Sequence, residues 1–209
     1  MPYTKQTKKT MKNKLYILFL IITLQSCLTL IDPEHQAMYI ESYRSFDKKL
    51  VDHFPLKVPN NWTYVSYGAP HYINEWNGTT GLELKTRITS KNKFEKLKNQ
   101  LTENVKILKN STDSCLLIVD SEINSRSIKC ERLYPIPQDA IYEYNDLNEE
   151  WIKVENCEIA ILDYKPGRFI ESEYLKAKEN LPAKWENGYS KGYAFNNSEQ
   201  TIMYWLIIW

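Results

Sequence analysis

Hydrophobic and polar positions change their period several times along the chain, and each change predicts an element. Over 91–109, Phe94, Leu97, Leu101, Val105 and Leu108 recur every three or four residues, which is the period of a helix with one apolar face. Ser90 stands where the cap of that helix belongs. A first helix is predicted over 33–53. Asp32, Pro33 and Glu34 form its start signal, Ile40, Tyr43, Phe46, Leu50 and Phe54 fall near one side, and Pro55 stops it.

Elsewhere the period is two. Residues 62–67 read as a strand, and 82–88 read as a clearer one, with Leu82, Leu84, Thr86 and Ile88 alternating with Glu83, Lys85 and Arg87. Weaker alternation predicts strands over 128–133 and 141–144. Stronger alternation does so over 151–154 and 157–164, the latter ended by Pro166 and Gly167. The unbroken apolar run 115–119 predicts a central strand, and 173–180 a short helix before Pro182. Two last strands, 189–195 and 201–209, are joined at 196–199. In the final one Ile202, Tyr204, Leu206 and Ile208 face one way while Met203, Trp205, Ile207 and Trp209 face the other. A strand apolar on both sides belongs inside a sheet or under a helix. The expected fold is therefore α+β: a single, mainly antiparallel sheet with an N-terminal helix at about 33–53 and a second helix at about 91–109.

Composition narrows the class without changing the fold. Hydrophobic residues at 43% and charged residues at 25% are ordinary globular values, so the body should be folded. Fifteen tyrosines and six tryptophans suit half-buried sheet surfaces, with a stacking platform for sugars as the other use.

The first fourteen residues bring in a different signal. They hold Lys5, Lys8, Lys9, Lys12 and Lys14 and no acid, and the apolar run 15–24 follows directly. That is the charged region and apolar region of an export signal. The run closes on Leu24-Gln25-Ser26-Cys27, which resembles the lipobox of bacterial lipoproteins. The resemblance implies that a lipid is attached to the Cys27 thiol and that the chain is cut just before it. It also implies that two or three acyl chains hold the mature protein on a membrane, at about 0.8 kcal/mol per buried methylene. The expected divisions are then a signal peptide at 1–26, a lipidated tether at 27–31 and one domain at 32–209. An uncleaved membrane-spanning anchor over 15–31 is the alternative, weakened by Gln25, Ser26 and Thr29. Loss of the five lysines leaves 22 basic residues against 26 acidic ones, and this mildly acidic body argues against a nucleic-acid partner. With Cys27 used for lipid, Cys115, Cys130 and Cys157 allow one disulfide and one free thiol, with no pairing assigned.

Candidate chemistry is sparse. Gly188-Tyr-Ser190-Lys-Gly192 has the spacing of a hydrolase nucleophile elbow, but no histidine follows it, since His35, His53 and His71 all lie upstream. Two glycines flanking a hairpin strand are the simpler explanation. His71 and Glu75 have a metal-ligand spacing only if helical, and the glycines, proline and asparagine around them predict a loop. His53 is expected to finish the first helix as an imidazolium complementing its dipole. The lysine-rich face of 91–109 reads as a solvated helix face. No glycine-rich phosphate loop occurs, so no cofactor, metal or catalytic residue is assigned. The expected function is an envelope lipoprotein, on the outer membrane or the periplasmic face of the inner membrane, that binds a protein or glycan without catalysis. The alternative is an envelope hydrolase whose site is assembled from residues distant in sequence.

Overall fold

The two-faced alternation of the last strand dictates the middle of the molecule. In a computed structural model, which describes residues 32–70, 78–120, 130–170, 178 and 180–209, β10 (Thr201–Ile208) has all eight residues buried. β9 (Gly188–Asn196) lies antiparallel along one edge of it, and β2 (Thr80–Arg87) along the other. β1 (Trp62–Tyr67), β8 (Cys157–Pro166) and β3 (Ile107–Asn110) complete a six-stranded sheet in the order β1-β2-β10-β9-β8-β3, every neighbouring pair antiparallel. The compact unit comprises residues 33–209. The class is the expected one: α+β, mainly antiparallel, with an N-terminal helix.

Each face of the sheet has its own cover. On one face Ile202, Tyr204, Leu206 and Ile208 lie beside Tyr193 and Phe195 of β9 and Leu82 and Leu84 of β2. The helices α1 (Pro33–Ser45), α2 (Lys48–Val51) and α3 (Lys91–Thr102) lie on this side, and they bury Tyr39, Val51 and Phe94. Phe54 meets the Tyr204 ring at 6.0 Å, and the Tyr39 hydroxyl donates to the Pro55 carbonyl at 2.6 Å. On the opposite face Met203, Trp205, Ile207 and Trp209 join Ile159, Ile161 and Ala194 in one cluster. Leu116, Leu117, Val119, Ile136, Ile141 and Trp185 close it from above.

Four expectations shift, each for a physical reason. The first helix breaks at Phe46–Asp47, where Asp47 re-caps the chain by accepting from the Lys49 amide at 2.8 Å and so starts α2. The second helix stops at Thr102, because 107–110 pairs with β8 as the edge strand β3; Leu108 is consequently half exposed. No glycine or proline marks that stop in the sequence. The apolar run 115–119 is not a central strand. Its core, β4 (Leu116–Ile118), pairs in parallel with β5 (Tyr134–Ile136) in a two-stranded layer pressed onto the sheet, and burial on all sides mimics a sheet interior. Of the weak strand expected over 128–133, residues 130–133 are not strand, and pairing begins at Tyr134. The short helix expected over 173–180 falls almost wholly outside the described residues.

His53 does follow the last helical turn, but not as a cation. One ring nitrogen, Nε2, donates to the Trp205 carbonyl at 2.9 Å, and burial pushes the imidazole down to about 4. The charge at that helix end comes instead from Lys191 of β9, whose Nζ donates to the Lys49 carbonyl and pairs with Asp52 at 2.9 Å.

Because β10 supplies apolar groups to both layers, a chain ending before Thr201 loses both cores together. Large buried side chains contribute about 1.5–3 kcal/mol each, so that truncation should show no cooperative thermal melt by circular dichroism. A sharp melt would show that the layers fold without the strand.

Candidate functional site

The hydrolase-like spacing at 188–192 is a packing device. Gly188, Ser190 and Gly192 point to the same face of β9, and Trp205 of β10 and Trp209 just after it lay their indoles across the two glycines. A Cβ at Gly192 would stand 2.6 Å from the Trp205 ring and 2.3 Å from the Ala160 carbonyl oxygen; one at Gly188 would stand 2.7 Å from the Trp209 ring. Ser190 lies between them with no exposure. Its hydroxyl donates to the Pro135 carbonyl at 2.6 Å and accepts from the Trp205 indole at 3.4 Å. A hydroxyl so enclosed has no path to a substrate, and its role is to tie the β4–β5 layer to the sheet.

Carboxyl groups distant in sequence do converge on that same face, at the β1–β2 end. Glu83 alternates outward from Leu82 and Leu84, which places it opposite Trp205 on one side and Ser66 on the other. Asp120, just past β4, and Asp139, in the 3-10 turn Gln138–Ala140, descend on it from the covering layer. The Asp120 Oδ1 accepts from the Gln138 amide at 2.6 Å. Burial, then the charges of Asp139 and Asp120, hold the Glu83 carboxyl well above the ordinary range, which makes Glu83 the donor in its hydrogen bond to Asp139. Burial likewise pushes Asp120 up to about 6, and it raises Asp139 against the pull of Lys85. Lys85 itself pairs with Glu143 of β6 (Tyr142–Asn145). Two carboxyl groups sharing a proton can act as an acid and base, and they also latch the covering layer to the sheet.

A second feature is an open groove of about 1090 Å³ beside the edge strand β3. Ile107, Ile161, Tyr164 and Trp185 supply apolar surface, and Lys106 and Arg132 stand on its rim. The Arg132 Nε donates to the Tyr164 hydroxyl at 2.6 Å, and the guanidinium lies within 5.8 Å of the Tyr134 and Tyr164 rings. Near it, Cys115 and Cys130 form a disulfide. Among the described residues Cys157 is the free thiol, buried, donating to the Ala140 carbonyl at 3.4 Å and pushed up to about 12 by burial. It behaves as a small hydrophobe.

Cys27, His71 and Glu75 lie outside the described residues. Among the described residues no three His, Cys, Asp or Glu side chains are disposed to hold a metal ion, and no helix is long and apolar enough to cross a membrane. The sequence did mark Glu83 as the polar member of an alternating strand, but nothing in it joined positions 83, 120 and 139. No protein-family model, curated protein or solved structure matches this chain.

The carboxylate convergence sets a pH dependence. Asp120 titrates higher folded than in an open chain, where its value is 3.8, so ionising it opposes folding from about pH 4 upward and in full above about pH 6. Asp120→Asn should therefore be more stable than the parent at pH 8, by about 1–2 kcal/mol after discount for partial exposure, and the gain should fade by pH 4. Urea melts of the pair at pH 8, 6 and 4 measure it. A loss of stability that is equal at all three would contradict the assignment. Comparing the pair cancels the opposing contribution of His53, whose burial as a neutral ring is lost as pH falls from about 6.5 toward 4.

Proposed function

We propose that this chain is a lipoprotein of the bacterial envelope, held at the membrane by acyl chains on Cys27, whose body is a non-catalytic module that binds a protein or glycan. The observation that carries the reading is the N-terminal pattern: five lysines, an apolar run and Leu24-Gln25-Ser26-Cys27 in immediate succession. The Cys115–Cys130 bond supports it, because such bonds persist in oxidising compartments outside the cytoplasm. The groove beside β3 supports the binding role: it pairs aromatic surface with hydrogen-bonding cations, a combination that suits peptide or sugar chains.

The rival hydrolase reading is favoured by the meeting of Glu83, Asp120 and Asp139 from three separate parts of the chain. The binding reading expects no turnover when the purified protein meets panels of chromogenic esters and glycosides. Turnover that disappears in Glu83→Gln would replace it with the hydrolase.

The anchor itself is tested by mass spectrometry of the membrane fraction from cells making the parent chain and Cys27→Ala. Diacylglyceryl mass on an N-terminal Cys27 is expected in the parent, and a shift of the variant to the soluble fraction. An unmodified Cys27, or a mature terminus elsewhere, overturns the assignment.

A further inference from the structure

The largest concentration of exposed apolar surface among the described residues sits on one protruding hairpin. β6 and β7 (Glu150–Lys153) pair only with each other. At their tip Leu147 is 93% exposed, while Tyr144, Trp151 and Ile152 are 43–50% exposed. A free two-stranded hairpin is marginal in water, yet this one is braced at every level. At the base Tyr142 packs on the core cluster, the Val154 amide donates to the Ile141 carbonyl at 2.8 Å, and Glu143 pairs with Lys85. At mid-height Tyr144 and Trp151 stand directly opposite each other, their rings edge to face at 5.4 Å. At the tip the Asn145 side chain accepts the Leu147 amide at 3.0 Å, and Glu149 takes a left-handed φ of 53°. The turn thus holds Leu147 outward in one geometry.

Such bracing keeps large apolar groups in water and lowers the ordering cost of a later contact. Tryptophan, tyrosine and leucine fixed on a rigid projection have the composition of an interface centre. The surrounding charge selects the occupant. Asp146, Glu149 and Glu150 are all exposed around the apolar tip, with Glu155 and Glu199 beside the hollow under it and Lys153 as an opposing charge. Acids around an apolar tip oppose insertion among anionic lipid headgroups and favour a cationic surface.

We propose that the β6–β7 hairpin is a docking element for a partner protein that offers an apolar socket edged by lysine or arginine. This deepens the binding-module reading and names its partner class, but the contact does not require the lipid.

The test places the photo-crosslinking residue p-benzoylphenylalanine at position 147 of the full chain, in the cells that make it, with position 96 on α3 as control. The expected result is one protein adduct, at least fivefold stronger than at the control, mapping to an apolar residue flanked by lysine or arginine. Asp146→Lys, Glu149→Lys and Glu150→Lys together should cut its yield at least tenfold while leaving the melting temperature within a few degrees. An adduct to phospholipid, an adduct to a second copy of the chain, a yield equal to the control, or an adduct indifferent to charge reversal would each overturn the proposal. Repeating the crosslink with Cys27→Ala separates the two readings: an adduct from an unacylated chain leaves the docking element standing when the anchor fails.

Discussion

The structure depends on one strand being buried from both sides. β10 has a hydrophobic side chain at almost every position, and its neighbours answer each face differently. Toward the helices it meets rings and branched chains of its own size. Toward the β4–β5 layer it presents Trp205, and the residue just past its end is Trp209; both need space, and β9 provides that space with glycines at the two facing positions. Close packing of large against absent side chains is how two adjacent strands accommodate indoles without splaying. The same arrangement explains why Gly188, Ser190 and Gly192 mimic a catalytic motif, since alternate positions on one face of a strand share one packing problem.

Polar groups at this interface act as fasteners between layers. Ser190 reaches the Pro135 carbonyl, Lys191 reaches the end of α2, and His53 donates to the Trp205 carbonyl. Each satisfies a buried polar group while crossing from the sheet to a covering element. Glu83 with Asp139 does the same at the β1–β2 end, but between two carboxyl groups that burial raises above their ordinary range.

Much of the fold was legible because long alternations leave little choice. The alternations at 82–88, 157–164 and 201–209 predict strands within two residues of the observed 80–87, 157–166 and 201–208. What stayed hidden lay where tertiary pairing overrode local pattern. Helical spacing ran on through Val105 and Leu108, yet pairing of 107–110 with β8 claimed those residues. The run 115–119 was apolar enough for a central strand, and periodicity cannot tell burial within a sheet from burial on top of one. The disulfide and the carboxylate convergence were hidden for a related reason, because each joins positions that only the topology brings together. The exposed hairpin is half visible: alternation predicts strands over 141–144 and 151–154, but only the structure shows that their aromatic tip is left uncovered.

Native-state hydrogen exchange tests the central claim most directly. If β10 ties both layers together, its backbone amides should exchange only through global unfolding, with the same free energy as the denaturant melt, while those of β6 and β7 exchange through smaller openings. Amides of 202–208 exchanging well below the global free energy would contradict the account.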